Sequence, residues 1–170
     1  MRVHTLAGPG GRMEDCEDRL RGPDAGPLTG WTAKMHYEPE RLGDPRAPLD
    51  VKTLVVDDNY AFRETLHELI GAIPGFSLVG LACSGEEALR AVERWSPQLV
   101  VMDVVMPGMD GIATARKILS QDPNVFVVLI SADDPALYGA ADELGGAVAC
   151  SRKQDLGPSQ LLRIWETHVN

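Results

Sequence analysis

The chain has 170 residues, of which 44% are hydrophobic and 24% are charged, and its net charge is −9 with a pI of about 4.8. This acidic balance argues against a general nucleic-acid surface, which needs clustered Lys and Arg to displace counterions from phosphates. No run approaches the roughly 20 apolar residues of a membrane helix, and the start lacks the apolar core of a secretory signal. We therefore expect a globular, cytoplasmic protein without membrane contact.

The first 50 residues differ in composition from the remainder of the chain. They contain 7 Gly and 6 Pro, but only 6 residues of Leu, Ile, Val and Phe together. Such a segment buries too little apolar surface to offset the entropy lost on ordering. Residues 1–50 are therefore predicted to be a disordered N-terminal extension, and residues 51–170 a folded domain. An over-extended start codon, with Met35 as the true start, would also explain the segment.

From residue 51 onward, strand patterns alternate with helix patterns. Short apolar runs indicate strands, whereas apolar residues at spacings of three and four indicate helices. The predicted strands cover 53–58, 76–82, 98–103, 124–131 and 147–151. The predicted helices cover 60–73, 86–95, 111–121, 135–144 and 159–169. Ser84 and Glu87 form a capping box before the second helix, and Asp110 is the expected cap of the third.

These alternating elements predict the fold class. Five repeats of strand and helix, with strands that are apolar on both faces, are typical of a parallel sheet covered by helices on each side. The expected fold is therefore α/β, a doubly wound five-stranded parallel sheet. Two strand orders dominate such folds, and 2-1-3-4-5, the flavodoxin-like order, is the one for a chain this short.

Polar residues follow four of the predicted strands at the same edge of the sheet. Strand 1 ends at Asp57 and Asp58, strand 3 at Asp103, strand 4 at Ser131, and strand 5 just before Lys153. Ligands of open α/β sheets bind beyond this edge, near the switch point of the strand order. Crowded carboxylates repel one another unless a cation neutralises them, and hard oxygen ligands suit Mg²⁺ or Mn²⁺.

The chemistry that this combination supports is phosphoryl transfer. A divalent cation and a lysine neutralise phosphoryl oxygens, and an aspartate can itself be the nucleophile. Each residue alone has a plainer interpretation, because a single Asp at a strand end is more often a helix cap or a turn residue. The joint pattern is what indicates a site, and Asp110 is assigned the plainer capping role.

The chain resembles the receiver domain of two-component response regulators over about residues 52–169. The resemblance rests on LVVDDN at 54–59, MDVVMPGMDG at 102–111, ISA at 130–132 and Lys153. It implies that Asp103 is the phosphoacceptor, which takes a phosphoryl group from a histidine of a sensor histidine kinase or a histidine phosphotransfer protein. It implies further that Ser131 is the hydroxyl that bonds the phosphoryl group and that Lys153 pairs with it.

The resemblance also implies a magnesium site. Asp57 and Asp58 look like the acidic pair that holds Mg²⁺, with Asp103 as the other side-chain ligand and the backbone carbonyl of Val105 completing the protein's share. Pro107 and Gly108 would form the turn that lets the chain leave the strand without covering the site.

The cysteines carry one departure from the family pattern. Cys16, Cys83 and Cys150 show neither a CxxC pair nor metal-ligand spacing, so they are expected to be small buried residues or free thiols. A Cys83–Cys150 disulfide is not expected, because the proposed order puts their strands at opposite edges. Cys150 stands where the family usually has Tyr or another aromatic, which places the usual coupling of hydroxyl and aromatic ring in doubt.

The leading functional hypothesis is a signalling switch rather than an enzyme, with its own autophosphorylation and autodephosphorylation chemistry. Its output is expected to be contact with an unknown downstream protein, of which a phosphorylation-dependent homodimer is one form, and no direct nucleic-acid contact is expected within this chain. One alternative is a constitutive receiver-like binding module with vestigial phosphorylation, which Cys150 mildly favours. Another is an aspartyl-nucleophile phosphatase, but such enzymes resemble DxDGT, and Val105 replaces the second Asp.

The resemblance finally suggests how long the phosphorylated state lasts. The side chains two positions after the phosphoacceptor and two after the switch hydroxyl flank the path of the attacking water. Here they are Val105 and Asp133. A branched apolar side chain cannot orient a water molecule, so slow self-dephosphorylation is expected.

Overall fold

The computed structural model describes residues 50–134 and 148–169. The strands within these ranges are β1 Val51–Val56, β2 Phe76–Ala82, β3 Leu99–Asp103, β4 Phe126–Ser131 and β5 Val148–Arg152. The α-helices are α1 Tyr60–Gly71, α2 Gly85–Trp95, α3 Gly111–Gln121 and α4 Pro158–Val169, and a 3₁₀ turn, Lys153–Asp155, follows β5. The predicted helix at 135–144 and residues 1–49 of the predicted extension lie outside the described residues.

The five strands form one parallel sheet in the order β2-β1-β3-β4-β5. This confirms the predicted fold class and strand order. The order reverses between β1 and β3, whose paired residues include Val56 with Met102. The residues that follow these two strands therefore meet at the carboxyl edge of the sheet, as open α/β sheets require for a ligand site.

The two faces of the sheet bury two separate cores. On one face, alternate strand residues such as Leu54, Val100 and Leu129 pack with α2 and α3. On the other face, Val55, Val101 and their neighbours pack with α1 and α4. Because successive residues of a strand point to opposite faces, strands covered on both sides need continuous apolar runs. That requirement explains the sequence pattern of β1, β3 and β4.

The helix starts are fixed by side-chain caps. The Ser84 and Asp110 side chains accept hydrogen bonds from the backbone N–H groups of Glu87 and Ala113, which confirms both predicted caps. The Glu87 carboxylate in turn accepts from the N–H of Cys83, at 2.8 Å. The cap of α1 was not predicted from the sequence. It is Asn59, whose side chain accepts from the N–H of Phe62.

The bounds of the described elements agree with the predicted ones to within two residues, and those of β2 and α3 are the same. β1 begins at Val51 and ends at Val56, because Val51 pairs with Phe76 and the acids that follow turn into the loop before α1. The helix α1 ends at Gly71 instead of residue 73, and Gly75 has a φ of 85° in the turn before β2. Such a left-handed conformation is readily adopted by glycine.

Two further features bear on the predictions. Cys150 is a free thiol, but Cys83 is disulfide-bonded, so the expectation of a free thiol at Cys83 is wrong. Spacing along the chain gave no sign of this bond, because a disulfide depends on proximity in the fold.

Among the described helices, none combines the length and apolarity that a membrane crossing requires.

Candidate functional site

Three carboxylates converge where β1 and β3 end. Asp57, Asp58 and Asp103 each offer an oxygen atom that lies within 4.8 Å of the other two. Asp57 is fully buried and Asp103 is 5% exposed, whereas Asp58 faces solvent. The sheet order brings these residues together, since Asp57 follows β1 directly and Asp103 closes the neighbouring strand. The cluster is open on the Asp58 side and closed on the protein side.

Lys153, which follows β5, contacts the two buried carboxylates. Its Nζ lies 2.6 Å from Asp57 Oδ2 and 2.8 Å from Asp103 Oδ2. The lysine begins the 3₁₀ turn that directly follows β5, and its side chain is 19% exposed. The face of the Phe62 ring also lies against the ammonium, with 4.6 Å between Nζ and the ring centroid. Among the described residues, the ammonium therefore has two charged partners and one aromatic partner.

Burial and charge compete at Asp57. Burial raises the pKa of this carboxyl above its ordinary value, although the hydrogen bonds from Lys153 and from the N–H of Asn59 act in the opposite direction. At Lys153, burial alone would lower the pKa, but the hydrogen bonds to Asp103 and Asp57 outweigh it and the net shift is upward. The lysine therefore stays charged at neutral pH, whereas burial disfavours the ionised form of Asp57.

The backbone around Asp57 is held by neighbouring groups from the start of α1. The N–H of Asn59 donates to Asp57 Oδ1 at 2.8 Å. The buried guanidinium of Arg63, one turn into α1, donates from Nη1 to the carbonyl oxygen of Asp57 at 2.5 Å. These contacts fix both the carboxylate and the peptide of Asp57. Sequence reasoning missed Phe62 and Arg63, although their place in the first turn after the Asp57-Asp58 pair was a usable signal.

The loop between β3 and α3 is shaped by two glycines. Gly108 has a φ of 77°, a left-handed conformation that suits glycine. At Gly111, an added Cβ would lie only 2.1 Å from the carbonyl oxygen of Asp103, so no other residue fits there without movement. The N–H of Gly111 donates to the carbonyl of Val104 at 2.9 Å and closes the loop. The chain consequently turns away sharply after β3.

Val105 lies at the mouth of the site. Its N–H donates to Asp103 Oδ1 at 3.2 Å, and 62% of the residue is exposed. The backbone of Val105 is thus beside the cluster, while the apolar side chain faces solvent. The ligand role of its carbonyl oxygen stays a prediction.

Ser131 lies at the carboxyl end of β4, one residue beyond Ile130, which pairs with Asp103. It is 2% exposed, and its Oγ accepts a hydrogen bond from the N–H of Asp133 at 3.1 Å. Ser131 also pairs in register with Arg152, the residue before the lysine. The sheet thus places Ser131 between the strand of Asp103 and the strand that leads to Lys153, at the edge where the sequence predicted it.

The residues present fit a hard divalent cation. Mg²⁺ binds carboxylate and carbonyl oxygens and retains several waters, so it needs only a few protein ligands beside an open side. Asp57, Asp58 and Asp103 supply such oxygens, and the exposure of Asp58 leaves room for water. The raised pKa of Asp57 is a further sign, because a buried carboxyl held above its ordinary pKa gains from a neighbouring positive charge.

Cys150 lies in β5, at the position where the family usually has an aromatic residue. It is partly buried, pairs in register with Leu129 and packs against the core beneath α2 and α3. Burial raises the pKa of its thiol. The residue therefore behaves as a small core side chain, with no ring to change orientation.

Comparison with known proteins identifies the family. A family model described as the response regulator receiver domain matches residues 53–153. The chain belongs to this family. Among curated relatives, the receiver is 38% identical over 110 residues to protein-glutamate methylesterase/protein-glutamine glutaminase 4 of Geobacter metallireducens, which covers 63% of this chain and 32% of that protein. It is 39% identical over 87 residues to response regulator GacA of Pseudomonas syringae, covering 50% of this chain and 41% of GacA.

Solved structures share the fold. The receiver domain of the response regulator NarL from Mycobacterium tuberculosis has a TM-score of 0.63 at 30% identity, over 72% of this chain and 99% of that one. The complex described as CheX-CheY-BeF3-Mg+2 from Borrelia burgdorferi contains a chain with a TM-score of 0.61 at 25% identity, over 72% and 91% respectively. These matches support a phosphorylatable two-component regulator, and neither alternative from the sequence is favoured.

Proposed function

We propose that this receiver is a phosphorylation switch in which Asp103 accepts the phosphoryl group. The observation that carries the proposal is the position of Lys153, whose ammonium lies within hydrogen-bond distance of Asp103 and Asp57 beside a three-carboxylate cluster. A fixed positive charge next to a buried carboxylate is the arrangement that receives an anionic group. The family match supports this assignment.

The transfer itself is a displacement at phosphorus. A carboxylate oxygen of Asp103 forms the new bond to phosphorus, while the bond from phosphorus to the donor histidine nitrogen breaks and the imidazole leaves with the electron pair. Lys153 neutralises charge on the phosphoryl oxygens, and the Ser131 hydroxyl donates a hydrogen bond to one of them. Positioning and charge neutralisation account for most of the catalysis in such transfers.

A magnesium ion belongs to this proposal. Asp57, Asp58 and Asp103, with the carbonyl oxygen of Val105, would hold it. When bound, Mg²⁺ supplies positive charge that offsets the phosphoryl oxygens during transfer. The ordering of Asp57 by Asn59 and Arg63 keeps the buried ligand in place before the cation arrives.

The partners follow from the chemistry and from the fold. The donor is proposed to be a sensor histidine kinase or a histidine phosphotransfer protein, and the output a contact with a downstream protein, including a second copy of this chain after phosphorylation. We propose a cytoplasmic location, where such donors present their histidines. The proposal concerns the receiver alone, because the match spans only about a third of the methylesterase relative and two fifths of GacA.

The test is phosphate labelling by a small-molecule donor. Purified protein with Mg²⁺ and radiolabelled acetyl phosphate should acquire label that resists acid and is removed by hydroxylamine, as expected of an acyl phosphate. Asp103→Asn should abolish this label. Asp110→Asn is the matched control, because Asp110 caps α3 at the other end of the same loop, and it should label normally.

Other outcomes would point elsewhere. Equal labelling of Asp103→Asn would contradict the assignment of the phosphoacceptor. A folded wild-type protein that takes no label would favour the constitutive binding module, and steady release of phosphate from many substrates would favour a phosphatase.

A further inference from the structure

Within residues 50–134 and 148–169, the Phe62 ring is the one uncharged partner recorded for the Lys153 ammonium. Nζ lies 4.6 Å from the ring centroid, within the roughly 6 Å over which a ring face attracts a cation. Both the backbone and the side chain of Phe62 make contacts with neighbouring groups. Its N–H donates to the Asn59 cap at 3.2 Å, and its side chain packs against the core beneath α1 and α4. The ring is therefore a fixed surface instead of a mobile cover.

The other partners of Lys153 are shared with the metal site. Asp57 and Asp103 hold the ammonium through Oδ2 atoms, and the same two residues belong to the carboxylate cluster that fits Mg²⁺. A cation bound there draws negative charge away from the lysine. The Phe62 ring ligates no metal and carries no charge, so its attraction for the ammonium does not depend on whether the cation is present.

From these contacts we infer that Phe62 is a positioning residue for Lys153, holding the ammonium at the site when Mg²⁺ takes up the carboxylates. The inference rests on the proposed function for its consequence, since a lysine kept in place is ready to meet the phosphoryl oxygens. The contact between the Phe62 ring and the Lys153 ammonium in the Mg²⁺-bound protein can be tested independently of phosphorylation.

The contact is tested by proton NMR of the wild-type protein. Protons above a ring face are shifted upfield, so the ε-methylene protons of Lys153, next to Nζ, should resonate upfield of ordinary lysine values. The shift should persist when saturating Mg²⁺ is added and should vanish in Phe62→Leu. An upfield shift that disappears on addition of Mg²⁺ would overturn the inference, because the ammonium would then have left the ring.

The consequence is tested by labelling rates with acetyl phosphate at saturating Mg²⁺. Phe62→Leu keeps an apolar side chain but removes the ring, and it should slow labelling about fivefold, the scale of one cation–π contact of about 1 kcal/mol. Phe62→Tyr, which keeps the ring, should stay within about twofold of wild type. Tyr60→Leu is the matched control, because its ring lies in the same helical turn but faces Arg63 at 5.7 Å.

A double-mutant cycle separates positioning from a general effect on the fold. In a Lys153→Met background, Phe62→Leu should cause no further slowing, because the ring would have no ammonium to hold. An equal slowing in both backgrounds would overturn the inference, as would normal labelling by a folded Phe62→Leu protein. Melting curves identify a variant that has lost its fold, in which case Phe62→Tyr and the wild-type NMR shift still decide.

Failure of the proposed function gives a different result. If wild-type protein takes no label, the phosphoacceptor proposal fails, whereas the NMR shift continues to report whether Phe62 holds Lys153 in the presence of Mg²⁺.

Discussion

At the scale of single residues, Asp57 links the stability of the protein to its metal site. The residue is fully buried, its carboxylate is bonded by Lys153 and by the N–H of Asn59, and its peptide oxygen is bonded by Arg63. Burial nevertheless raises its pKa. The fold therefore holds a carboxylate in an environment that favours its neutral form, which is unfavourable for stability and suitable for capture of a cation.

The first residue-scale prediction concerns pH and Mg²⁺. A carboxyl whose pKa is raised on folding contributes its full stability below the ordinary value of 3.8, and this contribution is lost as the pH rises through the higher folded value. Because Mg²⁺ binds carboxylates in their ionised form, it should bind more tightly at neutral pH than in acid. A 100-fold excess of Mg²⁺ over its Kd should stabilise the protein by about 2.7 kcal/mol at pH 7, and by much less near pH 4.

Denaturant unfolding with Mg²⁺ or with EDTA, at the two pH values, measures this difference. Asp58→Ala is the control, because it removes an exposed ligand and relieves carboxylate repulsion. It should abolish the response to Mg²⁺ and leave the metal-free protein as stable as wild type or slightly more so. Equal stabilisation by Mg²⁺ at both pH values would show that the ion binds elsewhere.

The second residue-scale prediction concerns the lifetime of the phosphorylated state. The Val105 side chain is 62% exposed at the mouth of the site, where it cannot hydrogen-bond a water molecule. Val105→Asn offers a group that can orient the attacking water, so decay of the acyl phosphate should become about 10-fold faster, equivalent to about 1.4 kcal/mol of barrier. Loss of label from purified phosphoprotein in Mg²⁺ is the measurement.

Val105→Leu is the matched variant, since it changes shape but stays apolar, and it should decay as slowly as wild type. Decay of Val105→Asn that is unchanged or slower would contradict the shielding argument and leave the assignment of Asp103 intact.

At the scale of elements, the junction of β3 and α3 determines the shape of the site. The loop closes through the hydrogen bond between Gly111 and Val104, and the N-terminus of α3 lies directly against the backbone of Asp103. Gly85, at the start of α2, is similarly close to α3, since an added Cβ would lie 2.3 Å from Thr114 Oγ1. The two helices on this face therefore approach the sheet and each other through glycines.

Gly111→Ala should consequently destabilise the protein. Its Cβ would meet backbone atoms that cannot move without displacing β3, and the expected loss is about 3 kcal/mol or more, the range of severe single substitutions. Gly71→Ala is the matched control. It lies at the end of α1 with no atom within 4 Å of the added Cβ, so it should be neutral or stabilise by up to about 1 kcal/mol. Urea unfolding of both variants compares the two effects.

At the scale of the whole molecule, the described residues form one sheet with two cores and one site at its carboxyl edge. The cores contain residues from every strand-covering helix that the structure describes, α1 and α4 on one face and α2 and α3 on the other. We propose that the folded domain is residues 51–170, and that residues 1–50 add nothing to its packing.

A shortened protein that starts at Met35 tests this division. Under reducing conditions, which remove the bond at Cys83, it should melt within a few degrees of the full chain and accept phosphate at the same rate. The 7 Gly and 6 Pro among the first 50 residues are the reason for the expectation. A large loss of stability on truncation would mean that the removed segment packs on the domain.

Local pattern in the sequence was enough for the elements that the structure describes and for part of the site. The apolar runs of β1, β3 and β4 follow from burial on both faces, which requires no knowledge of their partners. The caps at Ser84 and Asp110 are likewise local, because a cap bonds to a backbone group three residues away. The convergence of Asp57, Asp103, Ser131 and Lys153 on one edge followed from the strand ends together with the rule that parallel strands share a carboxyl edge.

The tertiary structure alone decided how these groups engage one another. Lys153 and Asp57 are 96 residues apart, and their ion pair exists because β5 and β1 belong to the same sheet. The bond from Arg63 to the Asp57 carbonyl and the contact of the Phe62 ring with Lys153 depend likewise on how helices and strands pack. Periodicity along the chain reports which face of an element is buried, whereas a contact between distant residues is fixed only when the elements occupy one structure.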